Sequence, residues 1–355
     1  MFVLFGNKNK PVLGLDITTS SIKLIELSQN GKHWRVESYA AEPTPANAIN
    51  EKNIVDSQAV GDAIRRAVKR SGSKTRDVAI AISGDAAITK VIQMPASLNE
   101  RDLEGQVEIQ ADQYIPFPME EVSFDYEIQG ANDADPDMLD VLLVATRTDN
   151  VDQRQAAVEA AGLIAKVVDV EAFALENACQ LLTHQVPNSG IGQALAVVDI
   201  GASSTTFSVL EDMRVIYTRD FAFGGQQLTE EIMRTYGLSM EDAGRAKKEG
   251  GLPSNYQPEV LDPFIDDMTQ QVSRSLQFYL ASGGGREQPD LILVCGGCAN
   301  IPGIADVISS RVGIPTEIGD PMGQMKIASK AKSQGVRKDS TALLTACGLA
   351  LRSFD

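Results

Sequence analysis

Two aspartates stand in the same local sequence. Asp16 closes the apolar run of VLGLDITTSSIKLIEL (12–27) and Asp199 that of LAVVDIGASSTTFSVL (195–210); each is followed by Ile, a small-residue turn with two serines, and a second strand-like run. A carboxylate at the end of a buried strand is costly unless it is paired. A hydrated Mg²⁺, which keeps most of its waters and takes one or two carboxylates plus phosphate oxygens, would account for both. The turns themselves, Thr18 to Ser21 and Gly201 to Thr205, offer backbone N–H donors unobstructed by bulky side chains, as phosphates require. One such aspartate is explained as well or better by the cap of its own turn. Two copies about half the chain apart point instead to a duplicated lobe that presents the same loop to a shared cleft.

Other chemistries lack their partners. Ser20-x-x-Lys23 has the spacing of a penicillin-binding nucleophile pair, yet no Ser-Asp-Asn or Lys-Thr-Gly accompanies it. No Walker A and no G-x-G-x-x-G occurs. Cys295 and Cys298 form a C-x-x-C, but it ends an apolar strand and is interrupted by Gly296 and Gly297, while Cys179, Cys347, His33 and His184 show no paired spacing for zinc. The thiols are expected to be incidental. With two histidines, Ser-His-Asp catalysis is not supported.

Composition narrows the class further. A chain of 355 residues, 43% hydrophobic, can bury a core in each of two lobes with an insertion. A net charge of −16 opposes unspecific binding to nucleic acid or to an anionic membrane, without excluding a local basic patch. No apolar run reaches the ~18 to 20 residues that span a bilayer, and no secretory leader is evident. A cytoplasmic location is expected, with any membrane association made through partners.

The elements that must position the two loops follow from periodicity and turn residues. Strands at 12–17, 22–27 and 34–39, the last two joined by Asn30-Gly31, lead to a polar loop at 43–53, a helix at 58–70 and a strand at 78–82. Residues 84–165 break the duplication. They show strands at 87–93, 122–128, 138–145 and 164–169, a helix opened by a Ser97-x-x-Glu100 capping box, and a helix at 151–161, in a β-α-β-β-α-β-like order that suggests an inserted α+β subdomain. After a helix at 171–182 and a Pro/Gly/Ser-rich link, the second hairpin begins a second lobe. Its helices are expected at 225–233, 240–248, 263–281 and 302–312, with a buried strand at 291–294; a last helix at 341–351 returns to the first lobe. The division expected is a first lobe of 1–83, 166–189 and 335–355, the insertion at 84–165, and a second lobe at 190–334.

The paired Asp hairpins, the glycine turn of VCGGCANIPG and the ending TALLTACGLALR resemble the actin, Hsp70 and sugar-kinase superfamily, whose fold is α/β with duplicated, ribonuclease H-like lobes around a nucleotide cleft. Within it, VAIAISGDAAITKVIQMP and the opening VLGLDITTSSIKLIELS are similar to the PilM family of type IV pilus assembly proteins, and more distantly to the division protein FtsA, whose 1C subdomain the insertion would match. The resemblance implies ATP or ADP with Mg²⁺. Asp16, Thr18, Thr19, Ser20 and Lys23 would form the first phosphate loop and Asp199, Gly201, Ala202, Ser203 and Ser204 the second; Asp16 and Asp199 would hold Mg²⁺ through water. Gly296, Gly297 and Asn300 would border the adenosine, with Lys247 near the nucleoside. The glutamate that commonly faces the ribose falls at Gly244, and Thr18 stands where the first loop usually has glycine. Glu171, opening the connecting helix, is the one candidate to position a hydrolytic water; a first-turn carboxylate favoured by the helix dipole explains it equally. Binding is thus indicated more firmly than turnover, at most a slow ATPase. The partner implied is the cytoplasmic amino-terminal peptide of PilN, docked between the first lobe and the insertion, with pilus motor proteins and homo-oligomers as further associations and twitching motility as the process. The competing functions are a small-molecule kinase of the same fold and an FtsA-like filament.

Overall fold

The computed structural model describes residues 11–354 apart from 32, 51, 133, 284–287 and 332. Alternating burial makes β1 (Leu13–Ile17) and β2 (Ser21–Asn30) an antiparallel pair, and β3 (His33–Pro43) follows after Gly31, whose φ is 62°. The segment expected to be a polar loop carries a small hairpin, β4 (Ile49–Asn50) and β5 (Asn53–Ile54). The helix α1 (Ser57–Ser71) begins where the Asp56 carboxylate accepts the Ala59 N–H and stops at left-handed Gly72. Next comes β6 (Asp77–Ile82), parallel to β1.

The inserted unit holds β7 (Ala87–Pro95), α2 (Glu100–Tyr114), β8 (Val122–Ala131) and β9 (Met138–Arg147), with the antiparallel sheet order β7-β9-β8. Its core of Ile92, Met94, Leu103, Val107, Val141 and Leu143 is separate from those of the lobes. The cap of α2 differs from expectation: Asn99, not Ser97, accepts the Asp102 N–H. Asn99 is the residue directly before the first helical turn, the position from which a side-chain oxygen reaches N3.

The insertion is also smaller than 84–165. The helix α3 (Thr148–Ala160) and strand β10 (Ile164–Val170) belong to the first lobe, because β10 pairs parallel with β6 and Val158, Val168 and Val170 share a core with Leu13, Leu15, Ile64 and Ile80.

The helix α4 (Glu171–Cys179) crosses to the second lobe. There β11 (Ala194–Ile200), β12 (Thr205–Glu211) and β13 (Arg214–Phe221) repeat the first meander. Helices α5 (Gly225–Tyr236), α6 (Met240–Glu249) and α7 (Asp262–Ser282) precede β14 (Leu291–Cys295), α8 (Ile304–Val312) and β15 (Thr316–Ile318). The sheet order is β13-β12-β11-β14-β15. The chain then returns earlier than residue 335. Strand β16 (Lys326–Ile327) pairs with β3, and Met322, Met325 and Ala331 pack with Ile25, Leu27 and Val36, ahead of α9 (Ser333–Asp339) and α10 (Leu344–Leu351). The first-lobe sheet therefore reads β10-β6-β1-β2-β3-β16. Two glycines let α10 lie between β1 and α4. A Cβ on Gly14 would stand 1.9 Å from the Ala346 carbonyl oxygen, and one on Gly348 1.6 Å from that of Ala174. The architecture is two α/β lobes that repeat one β-meander, with an inserted α+β unit.

Candidate functional site

The loops after β1 and β11 are built alike. The Thr18 N–H donates to the Ser21 carbonyl at 3.1 Å and the Gly201 N–H to the Ser204 carbonyl at 3.0 Å, so in each copy the residue two beyond the aspartate bonds the one five beyond. Between these anchors, the N–H groups of Thr19, Ser20, Ala202 and Ser203 take no protein acceptor among the described residues. The two turns meet. Thr19 Oγ1 lies 2.8 Å from Ser203 Oγ, which puts both sets of free donors at one place between the lobes. Thr18 has a different task from its neighbours: its hydroxyl donates to the Ser21 carbonyl and accepts the Ser21 N–H, closing its own turn.

Acidic groups lie directly behind the donors. Asp16 is buried and accepts from Lys23 Nζ at 2.7 Å, its register partner across β1 and β2. Burial works against the charge on Lys23, but Asp16 and then Asp199 outweigh it and hold the amine above the usual lysine range. Asp199 is pushed up to about 6 by burial, with Lys23 pulling it back and Asp16 and Asp220 adding to the rise. Two carboxylates thus share one lysine in a confined space, a field that favours a divalent cation. Among the described residues no three His, Cys, Asp or Glu side chains converge as a metal site. A Mg²⁺ here would need phosphate oxygens and water to complete its shell, which fits its preference for a few carboxylates and retained waters.

Gly296 forms the wall beside Asp199. Its φ is +85°, and a Cβ there would lie 2.3 Å from the Ile200 carbonyl oxygen and 2.5 Å from Asp199 Oδ1. Its N–H donates to the Thr341 carbonyl at 2.7 Å and its own carbonyl accepts from Thr341 Oγ1 at 3.0 Å, tying the wall to the short turn that leads into α10. Gly297 and Asn300 are exposed next to it. On the other side the start of α5 is pinned to the second loop: Gly225 N–H donates to Gly201 O at 3.0 Å and Gln226 N–H to Ala202 O at 2.8 Å. Lys247 secures this junction, donating to Gly225 O and Thr229 Oγ1, both at 2.6 Å. Lys23 and Lys247 are therefore engaged by protein acceptors.

Glu171 opens α4 between the lobes. Burial pushes its carboxyl up to about 7, with Lys52 lowering it and Asp16 and Asp220 raising it. Lys52, from the hairpin between β4 and β5, lies 3.5 Å from Glu171 Oε2 and 2.7 Å from Asp220 Oδ2 on β13, and Thr206 Oγ1 completes the Asp220 contacts at 2.7 Å. Arg154 fixes this hairpin by donating to the Lys52 carbonyl at 2.9 Å and to the Ala81 carbonyl at 2.8 Å. Lys52, Thr206, Asp220 and Arg154 were not legible as site residues, since none belongs to the repeated motif. Alternation alone offered a signal: Asp220 pairs across from Thr206, which pairs across from Asp199, so all three lie in one row on one face of the sheet.

The family model described as "Type IV pilus assembly protein PilM" matches residues 14–354. FtsA, the cell division protein of Bacillus subtilis (strain 168), is 24% identical over 88% of this chain and 80% of its own length. Among solved structures, the "PilM-PilN type IV pilus biogenesis complex" superposes with a TM-score of 0.80 at 26% identity, covering 98% of this chain and 100% of that one. The ethanolamine utilization protein EutJ from Carboxydothermus hydrogenoformans follows at 0.56 and 20%, covering 97% and 91%, a likeness of fold.

Proposed function

We propose a function from one established premise: the chain belongs to the type IV pilus assembly protein PilM family. It acts as a cytoplasmic, nucleotide-binding scaffold of the pilus assembly complex at the inner membrane, docks the amino-terminal tail of PilN and couples it to the pilus motor. The observation that carries this reading is full-length likeness to the solved PilM–PilN complex. No described helix is long and apolar enough to cross a membrane, so on this reading PilN supplies the membrane link. The inserted unit has surface suited to an extended peptide. Val91, Ile109, Tyr114, Phe117 and Ile128 are exposed on it, and its three-stranded sheet keeps two edges.

Nucleotide binding is supported by the meeting of the two loops and by the carboxylate pair behind them. ATP or ADP would take the free N–H groups of Thr19, Ser20, Ala202 and Ser203 at its phosphates, with Asp16 and Asp199 directing Mg²⁺ through its waters. When bound, that ion supplies charge neutralisation of the phosphates. Gly296, Gly297 and Asn300 would border the adenosine. Thr18, Lys23, Gly201, Ser204 and Lys247 shape the site by holding the turns, Asp16 and α5. Glu171 would orient a water in a hydrolysis that is slow at most, with burial raising its carboxyl to about 7. The deciding experiment pairs calorimetry of Mg-ATP with binding of a synthetic PilN-tail peptide to the purified chain. Micromolar or tighter peptide binding supports the reading; no binding of the cognate tail, to nucleotide-loaded and nucleotide-free protein alike, removes it.

A further inference from the structure

Residues 65–76 read RRAVKRSGSKTR: six cations and no acidic residue in a chain whose net charge is −16. All six side chains are exposed, along the end of α1 and the turn into β6. Arg65 is paired with Asp62 at 2.6 Å, and Arg70 and Arg66 with Glu42 at 2.7 and 3.9 Å. Lys69, Lys74 and Arg76 have no ion-pair partner among the described residues. Glu26, the acid beneath this turn, is already held by the hydroxyls of Ser38, Ser73 and Thr75. A concavity of about 490 Å³ opens here, lined by Arg65, Lys69, Arg76, Gly72, Ser73 and Gly162.

An apolar group adjoins the cations. The Ile164 N–H donates to the Arg76 carbonyl at 2.9 Å, and the Ile164 residue is 54% exposed on edge strand β10, with exposed Lys166 two residues on, at the bulge between Ala165 and Val167. The patch lies where β6 and β10 begin. Because β1 runs parallel to β6 with Leu13 opposite Val78, Asp16 lies toward the other end of these strands. The basic face and the nucleotide loops therefore look in opposite directions.

We propose that this face binds the phosphate-bearing headgroups of anionic phospholipid directly. Lys69, Lys74 and Arg76 face the headgroups and Ile164 enters the boundary below them. Uncompensated cations beside one exposed aliphatic side chain match an anionic bilayer surface, which attracts basic clusters within a Debye length of about 8 to 10 Å despite repulsion from distant charge. A soluble anion would leave Ile164 without a role. The inference rests on the reading that the chain works beneath the inner membrane, and it gives the scaffold a second contact there besides its peptide partner.

The test floats the purified full-length chain, without PilN, on phosphatidylglycerol-containing vesicles and on pure phosphatidylcholine vesicles. Expected are binding to the first and not the second, loss as salt is raised, and a fall of about a hundredfold for Lys69→Gln/Lys74→Gln/Arg76→Gln, each cation contributing roughly a factor of five. Ile164→Ser is expected to weaken binding by a smaller factor. Unchanged PilN-tail and Mg-ATP binding in the triple variant shows that it is folded and keeps this result separate from the functional reading. Absence of anionic-vesicle binding, or binding that the triple variant retains, overturns the proposal. So does saturable binding of inorganic phosphate or single-stranded RNA at this face with none to vesicles.

Discussion

Thr19 and Ser203 touch across the cleft, hydroxyl to hydroxyl at 2.8 Å, although 184 positions separate them in the chain. The contact is asymmetric. Ser20 and Ala202 occupy the positions that would form its mate under the pseudo-symmetry of the two turns, and Ala202 has no hydroxyl to offer. One side-chain bridge therefore registers the lobes at their loops. Beside it stand four backbone N–H groups that take no acceptor among the described residues and, near each other, Asp16 and Asp199, each lobe supplying half of the set, which a single hairpin cannot do.

Asp199→Ala is expected to lower Mg-ATP affinity by about 1.5 to 3 kcal/mol, the range for charge-assisted contacts. The second lobe should stay folded, because the cluster of Val198, Ile200, Phe207, Val209 and Ile292 does not depend on the carboxylate. Calorimetry of the variant against the parent measures the change, and circular dichroism checks the fold. Equal affinities would take Asp199 out of the site.

Stability should depend on pH through two acids. In the folded chain Glu171 titrates at about 7 and Asp199 at about 6, against ordinary values of 4.5 and 3.8. Both folded values are raised, so the contribution of the held protons is complete below the ordinary values and is lost as pH rises through 6 and then 7. The ligand-free chain should become less stable between about pH 4 and 7, by up to roughly 5 kcal/mol. Mg-ATP competes with the proton at Asp199 and should bind more tightly over the same window. Melting curves in a pH series with and without Mg-ATP test both signs; a flat profile without ligand would contradict them.

Gly296→Ala and Gly14→Ala should separate site from scaffold. At Gly296 a Cβ enters a left-handed backbone and meets Asp199 Oδ1, so nucleotide affinity and stability should fall together. At Gly14 the Cβ meets the Ala346 carbonyl oxygen and displaces α10, which costs stability of about 2 kcal/mol or more. The nucleotide affinity of the surviving folded Gly14 variant should fall less than that of Gly296→Ala, since the added Cβ meets the Ala346 carbonyl oxygen and not Asp199. Loss of affinity at Gly14 as large as at Gly296 would show that α10 and the cleft are not separable.

The duplicated loops were legible in the sequence because they are local: an apolar run, an aspartate and a small-residue turn recur with the same spacing. Strand and helix periods also placed most elements. What could not be read was tertiary choice. Residues 148–170 carry the pattern of a helix and a strand whichever sheet they join, and only the parallel pairing of β10 with β6 and the shared burial of Val168 and Val170 with Ile80 assign them to the first lobe. Lys52 was hidden for a similar reason. It sits in a polar segment at a φ of +66°, and its partners Glu171 and Asp220 are 119 and 168 positions away.

Lys52 also provides the sharpest test of hydrolysis. Lys52→Met keeps the aliphatic stem but removes the cation that lowers the Glu171 pKa, so that carboxyl should move further above 7 and be largely protonated at neutral pH. Asp220 retains the Thr206 hydroxyl at 2.7 Å, which limits collateral disorder. If Glu171 orients water as a carboxylate, slow ATP turnover at pH 7 falls and the acidic limb of its pH profile shifts upward by about one unit, the scale expected for loss of one nearby opposite charge. Glu171→Gln should remove that limb altogether. Should phosphate release over hours show the same pH profile in the parent and in Lys52→Met, Glu171 acts only at the start of α4 and turnover, if measured, has another origin.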